Sequence, residues 1–147
     1  GEHDYYLDNS RLQAPTAGLI FRRSRNVEDR DLSVESPTWG STVIGRDLRD
    51  GWLKVGRHYL PMYVNGIPVL ALQRYILDNS VLQAPTEGLL YRFTKQLEDR
   101  DMSQTTAHPR WGSTVVGSYV GDGWLRVGDR YLPMFVSDTP VLIPLWL

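Results

Sequence analysis

The feature that most constrains this chain is an internal repeat. The segment Tyr5–Ser10 recurs as Tyr75–Ser80, 70 positions later, with one substitution. The segment Trp39–Val43 recurs unchanged as Trp111–Val115, 72 positions later, so the second copy carries two extra residues in the polar stretch before Trp111. Self-similarity over such lengths is typical of two copies of one structural unit.

The match extends over most of the chain. Residues 5–33 agree with their counterparts at 18 of 29 positions and residues 39–70 agree at 20 of 32, which makes 38 of 61. Agreement of this extent is far beyond chance. We therefore predict two domains of one fold, residues 5–70 and residues 75–142, related by duplication. Residues 71–74 contain no Gly, Pro or Ser and are predicted to form a short, rigid junction.

Composition and charge argue against several classes of function. The chain has 147 residues, of which 41% are hydrophobic and 22% charged, as is typical of a folded protein. Its 16 basic and 17 acidic residues are mixed along the sequence, so we expect no nucleic-acid partner. No apolar run is long enough to insert into a membrane. The absence of cysteine and of Asn-x-Ser/Thr sites slightly favours an intracellular location.

Short apolar runs between turn signals predict an all-β fold. Asp50-Gly51 and Asp122-Gly123 each lie between such runs and predict tight hairpins with type I′ turns, in which both central residues have positive φ. In the strand after the first turn, alternation directs Leu53 and Val55 to the core and Trp52 to the opposite face. We expect about five strands in each copy, bent enough to close into a small β-barrel without free edges.

Four short motifs, in this order, resemble a bacterial-type Src-homology-3 domain. They are Gly18–Arg22, Gly40–Gly45, Asp50–Val55 and Tyr59–Pro61, and the second copy repeats them from Gly88 to Pro133. The resemblance covers nearly all of each repeat. It implies a pair of small β-barrels that bind peptides, cell-wall glycan or partner domains and do no chemistry of their own.

The resemblance also implies a binding site. In eukaryotic relatives, a Trp after the central hairpin turn, a Pro-x-x-Tyr near the end and an acidic loop form a groove for proline-rich basic peptides. The matching positions here are Trp52, Pro61 and Tyr63 in the first copy and Trp124, Pro133 and Phe135 in the second. The spacing between Pro and the aromatic residue is one shorter than in the family, and the paired-tyrosine opening is absent. If both indoles are exposed, replacing them by Ala should weaken ligand binding and leave the melting temperature nearly unchanged.

A charged loop supplies the remaining candidate residues. It spans residues 26–33 in the first copy and has too few apolar positions to form a buried face. Its carboxylates are Glu28, Asp29 and Asp31, with Glu98, Asp99 and Asp101 at the corresponding positions of the second copy. They either orient a basic peptide or simply face solvent beside the loop's own arginine. Trp39 and Trp111 each open a Trp-Gly-Ser-Thr-Val segment and are interpreted as structural plugs.

No pattern predicts catalysis. The paired carboxylates have no nucleophile or activated histidine beside them. The three histidines lack partners at metal-ligand spacing, and no glycine-rich loop has the residues needed to hold a phosphate, so we expect no metal and no cofactor.

We therefore expect a non-enzymatic tandem module that binds a protein or peptide partner within a larger scaffold, with two similar sites that supply avidity. Two alternatives stay open: a cell-wall or glycan-binding module, and an accessory region of an enzyme whose catalytic domain lies elsewhere. Sedimentation with purified peptidoglycan separates the first alternative from peptide binding.

Overall fold

The computed structural model describes residues 1–145, and every regular element in that range is a β-strand. The predicted all-β class is confirmed. The chain divides into two compact units, one formed by Gly1–Leu72 and one that begins at Gln73.

The first unit contains seven short strands. They are β1 (His3–Leu7), β2 (Thr42–Asp47), β3 (Trp52–Val55), β4 (His58–Pro61), β5 (Tyr63–Val64), β6 (Ile67–Pro68) and β7 (Leu70–Leu72). Five of them form one antiparallel sheet in the order β4-β3-β2-β1-β7, and β5 pairs with β6. Pro61 ends the edge strand β4, as expected of a residue that has no N–H to donate to a ladder.

A bend at Gly45 gives strand β2 two partners. Residues Thr42 to Gly45 pair with β1, whereas Arg46 and Asp47 pair with β3. A Cβ placed on Gly45 would lie 2.7 Å from Cγ of Leu53 and 2.9 Å from the carbonyl oxygen of Lys54. Strand β3 therefore lies so close to this point of β2 that only glycine fits there.

The second unit contains eight short strands. They are β8 (Arg74–Leu77), β9 (Thr114–Val116), β10 (Ser118–Tyr119), β11 (Trp124–Val127), β12 (Arg130–Pro133), β13 (Phe135–Val136), β14 (Thr139–Pro140) and β15 (Leu142–Leu145). They form sheets in the orders β15-β8-β9, β10-β11-β12 and β13-β14. Gly117 separates β9 from β10, and a Cβ there would lie 2.7 Å from the Arg126 carbonyl oxygen.

No sheet formed by residues 1–145 closes into a barrel, so the closure predicted from the sequence is absent from these sheets. The outer edge of β4 is covered in another way: the amide of Arg22 donates to the Tyr59 carbonyl (2.8 Å), and the amide of Tyr59 donates back (2.9 Å). Arg92 and Tyr131 exchange the same pair of hydrogen bonds in the second unit. A single loop residue thus occupies an edge that would otherwise be open.

The type I′ turn predicted at Asp50-Gly51 is wrong. In the first unit, Arg49 (φ 64°) and Gly51 (φ 89°) have positive φ and Asp50 does not. Side chains explain the longer loop: an Asp47 carboxylate oxygen accepts from the amide of Arg49 (2.8 Å), and Asp50 accepts from the amide of Trp52 (3.2 Å). Such local side-chain bonds compete with a two-residue turn.

In the second unit, three consecutive residues of the hairpin loop have positive φ. They are Gly121 (87°), Asp122 (57°) and Gly123 (81°). The amide of Trp124 donates to the Gly121 carbonyl (3.1 Å), so Asp122 and Gly123 are the central residues of a turn and both have the predicted positive φ. Both hairpins exist where the sequence predicts them, with loops longer than two residues.

Each unit has its own apolar core. Leu53 and Leu60 of the first unit and Leu125 and Leu132 of the second are fully buried. Val55 is half-buried and packs against the same cluster as Leu53. The inward direction predicted for Leu53 and Val55 is confirmed.

An asparagine side chain closes the loop that follows β1. The Asn9 Nδ2 donates to the Ala14 carbonyl (3.0 Å), and its Oδ1 accepts from the Ala14 amide (2.8 Å). Asn79 makes the same pair of bonds with Ala84. This clamp fixes the start of the segment 14–22, which reaches the edge of β4.

Candidate functional site

Trp124 and Pro133 lie directly opposite each other. The register of β11 and β12 pairs Trp124 with Pro133 and Leu125 with Leu132. Because side chains alternate along a strand, Leu125 enters the core and the indole takes the other face. The indole is nevertheless only 8% exposed. The prediction that this ring stands free in solvent is therefore wrong.

Trp124 is one of the residues that line a cleft of about 520 Å³. Its walls are Leu97, Asp122, Gly123, Trp124, Pro133, Phe135 and Asp138, and we call it the Trp124 cleft. Phe135 is half in solvent, at 51% exposure, and its Cδ1 would lie 3.6 Å from a Cβ on Gly123. The cleft therefore joins the aromatic and proline positions predicted from sequence with the tip of the hairpin loop.

Two carboxylates stand at this cleft, and neither belongs to the acidic loop. Asp122 has an 88% exposed side chain whose Oδ2 lies 3.8 Å from the ammonium of Lys95. Asp138 is exposed and has a φ of 64°. The sequence identified Asp122 only as a turn residue. It offered no signal for Asp138, because the corresponding position of the first unit is Gly66.

The first unit brings the equivalent positions together with a different charge balance. Strand register pairs Trp52 with Pro61; the indole is half-buried, and Tyr63 is 56% exposed. The carboxylate of Asp50 lies 2.7 Å from the Arg25 guanidinium. This surface therefore has fewer unpaired negative charges than the Trp124 cleft.

Asp31 of the acidic loop is a buried residue. It is 6% exposed. Its Oδ1 accepts from the amide and hydroxyl of Ser33 (3.0 and 2.5 Å) and from Arg23 (3.1 Å), and its Oδ2 lies 2.8 Å from Nε2 of His58. The Ser33 hydroxyl, followed by His58, holds the pKa of this carboxyl far below its usual range.

Asp101 has the same role with a different partner. It is 1% exposed and accepts from the Ser103 amide (3.0 Å), the Thr106 hydroxyl (2.8 Å) and the Arg130 Nε (3.0 Å). The Ser103 amide is the main cause of the lowered pKa of Asp101, and Arg130 adds to it. Arg130 thus takes the place that His58 has in the first unit.

The other loop carboxylates fall into two groups that differ in burial. Asp29 and Asp99 are half-buried, and each accepts a hydrogen bond from a hydroxyl five residues earlier, Ser24 or Thr94, at 2.8 Å. Glu28 and Glu98 are exposed. The loop therefore reaches the Trp124 cleft through the apolar side chain of Leu97, while its aspartates bind the loop to itself and to β4 or β12.

Trp39 and Trp111 pack against the two cores, in line with a structural role. The Nε1 of each indole is buried and has no acceptor among residues 1–145. An unsatisfied buried donor is unusual in a folded protein.

The described residues contain no group of three or more His, Cys, Asp or Glu side chains placed to hold a metal ion. His108 accepts a hydrogen bond from the amide of Tyr91 at its Nδ1 (2.9 Å). Within residues 1–145 there is no helix of the length and apolar character needed to cross a membrane.

A scan against protein-family models, a search of curated proteins and a search of solved structures each found no match to this chain.

Proposed function

We propose that the chain is a tandem of two Src-homology-3-like modules that binds an extended basic peptide of a partner protein and catalyses no reaction. The repeat and its motifs support the proposal at the level of the module. The strand order supports it as well. In the second unit, β15-β8-β9 followed by β10-β11-β12 corresponds to β7-β1-β2-β3-β4 of the first unit, with β9 and β10, divided at Gly117, in the place of β2.

The observation that carries the proposal is the composition of the Trp124 cleft. Its exposed apolar surface comes from Leu97 and Phe135, which are 47% and 51% exposed and supply contact area to a ligand, while Trp124 and Pro133 are almost completely buried. Asp122 and Asp138 stand at the same cleft and favour a cation. A lysine or arginine flanked by apolar residues satisfies both features, since its aliphatic stem packs on Leu97 and Phe135 and its charge meets the carboxylates.

A matched pair of peptides tests this. One probe is a decapeptide in which Lys alternates with Pro, labelled at its N-terminus, and the other replaces every Lys by Glu. We expect the basic probe alone to bind the full chain, with an affinity that falls as salt is raised. The double variant Asp122→Asn and Asp138→Asn should weaken binding about tenfold, or about 1.4 kcal/mol, because two exposed charges are lost.

The chain provides its own control. Tyr63 occupies the position of Phe135, so Phe135→Tyr keeps the ring and should bind the basic probe, whereas Phe135→Ala should not. Equal binding of the acidic probe, or an unchanged affinity in the double aspartate variant, would refute the proposed site. Sedimentation of the chain with purified peptidoglycan, together with failure to bind the basic probe, would favour the glycan-binding alternative instead.

A further inference from the structure

Another concave surface lies in the first unit, and Pro61 and Tyr63 are part of its lining. It has a volume of about 460 Å³ and runs between the segment 12–22 and the start of β5. Its apolar lining includes Leu12, Ile20, Trp39 and Val64, and its cationic lining is Arg22 and Arg30; we call it the Arg22 groove. A volume in this range is sufficient to enclose a few side chains of a ligand.

Arg22 places a poorly compensated positive charge in the wall of this groove. The residue is only 7% exposed. Its Nε donates to the Val27 carbonyl (2.8 Å) and its Nη1 to the Ile20 carbonyl (2.6 Å), both of which are neutral acceptors. Among the ion pairs of residues 1–145, none involves Arg22. Buried charges are ordinarily paired.

Arg30 adds a second guanidinium at the same place. The backbones of Arg22 and Arg30 form an antiparallel bridge, which sets the two residues side by side, and both line the groove. Burial of Arg22, together with the charge of Arg30, lowers the pKa of Arg22. The two nearest aspartates in the loop are already engaged: Asp29 with Ser24, and Asp31 with Ser33, Arg23 and His58.

The ring of Trp39 also lines the groove, and its buried Nε1 has no acceptor in the described part of the chain. Thr16 and Asn65 add neutral polar side chains to the lining, so the charge of the groove wall comes from Arg22 and Arg30. Such a wall is complementary to a ligand that brings oxygen acceptors.

The same arrangement recurs in the second unit. Arg92 is 7% exposed and donates to the carbonyls of Leu90 (2.5 Å) and Leu97 (3.0 Å), and Arg100 forms the backbone bridge. Burial, followed by the charge of Arg100, lowers the pKa of Arg92, and the charge of Glu98 partly opposes this lowering, whereas no acidic residue opposes it at Arg22. The cationic wall is therefore less compensated in the first unit.

We infer that the Arg22 groove binds an acidic peptide segment of a partner protein, in which a carboxylate side chain stands next to an apolar one. The carboxylate bridges Arg22 and Arg30, where the planar guanidinium favours two parallel hydrogen bonds. The neighbouring apolar side chain covers Ile20 and Val64. This site has the opposite charge preference to the Trp124 cleft and goes beyond the function proposed above.

The test uses the full chain and the probe acetyl-Leu-Glu-Leu-Asp-Leu-amide, with the isostere acetyl-Leu-Gln-Leu-Asn-Leu-amide as its partner. Binding is followed by nuclear magnetic resonance of the arginine Nε–H and tryptophan indole signals. We expect the acidic probe to shift the Arg22 and Trp39 signals in a saturable way and the neutral isostere to leave them unchanged. Arg30→Gln should lower the affinity for the acidic probe about tenfold. Arg57→Gln, which changes an exposed arginine outside the groove, should leave that affinity unchanged.

Three results overturn the inference. The first is equal affinity for the neutral isostere, which would remove the role of the carboxylates. The second is an unchanged affinity in Arg30→Gln; if that variant unfolds, Arg30→Lys tests the same point, because it keeps the charge and loses the planar fork. The third is saturable binding of octanoate without binding of the acidic peptide, which would make the groove a small-molecule site. Binding of the basic probe at the Trp124 cleft is measured separately and stands or falls independently.

Discussion

Replacing Gly45 by Ala is the sharpest test of the bend in β2. At an ordinary strand position, Gly→Ala stabilises a protein by about 0.4–1 kcal/mol, because the unfolded chain loses conformational freedom. At Gly45 the new methyl group would lie 2.7 Å from Cγ of Leu53 and 2.9 Å from the Lys54 carbonyl oxygen. Relief requires the backbone of β3 to move, and overpacking of this kind costs about 1–3 kcal/mol. The steric cost exceeds the entropic gain, so we expect a net loss of about 1–2 kcal/mol.

The assay is urea denaturation of the full chain followed by circular dichroism, with hydrogen exchange to assign the loss to peptides of the first unit. Gly117→Ala is the matched variant, because a Cβ there would lie 2.7 Å from the Arg126 carbonyl oxygen and 2.8 Å from Cγ of Leu125. Its effect should appear in the second unit. The double variant Gly45→Ala with Leu53→Ala should lose less stability than the sum of the two single variants, since the smaller side chain makes room for the methyl group. A Gly45→Ala protein as stable as the parent would refute the argument.

Three further predictions follow from side chains of the two units. Trp124→Ala should cost about 3 kcal/mol in urea denaturation, because the indole is buried, and Trp52→Ala should cost clearly less; equal losses would contradict the difference in burial. Asn9→Ala should lower stability by about 1 kcal/mol by removing the clamp on Ala14, and Asn9→Asp should recover part of the loss because one acceptor remains. The pKa of Asp31 and that of Asp101 are lowered in the folded state, so their contribution is present above the unfolded pKa of about 4 and is lost as the pH falls below it; Asp31→Asn should flatten the acid limb of a stability–pH curve, and Glu28→Gln, at an exposed position, should leave it unchanged.

The sequence predicted those parts of the fold that depend on local pattern. Alternation placed Leu53 in the core correctly. It failed for Trp124, because alternation gives the face of a strand and not what covers that face. Phe135 and Leu97, which line the same cleft as Trp124, come from segments whose position depends on the tertiary fold.

The acidic loop shows the same limit in electrostatics. A run of charged residues does not reveal which of them turn inward, and Asp31 and Asp101 turn inward because Ser33, His58, Ser103 and Arg130 supply donors at the right places. The partners 27 and 29 residues away are invisible to a local pattern. The sequence contained one signal of these pairs. His58 of the first unit is exchanged for Arg130 in the second, and an acidic partner shared by both positions could have explained the exchange.

The backbone bridge between Arg22 and Tyr59 has a consequence for how this protein behaves at high concentration. An open edge strand can pair with strands of other chains, which leads to aggregation or to binding with little specificity for the partner's sequence. Because loop residues already take the amide and carbonyl of Tyr59 and of Tyr131, incoming chains find these groups of β4 and β12 occupied. Selectivity at these edges then depends on side chains. On overproduction, variants that lose this bridge should form insoluble material before they lose secondary structure.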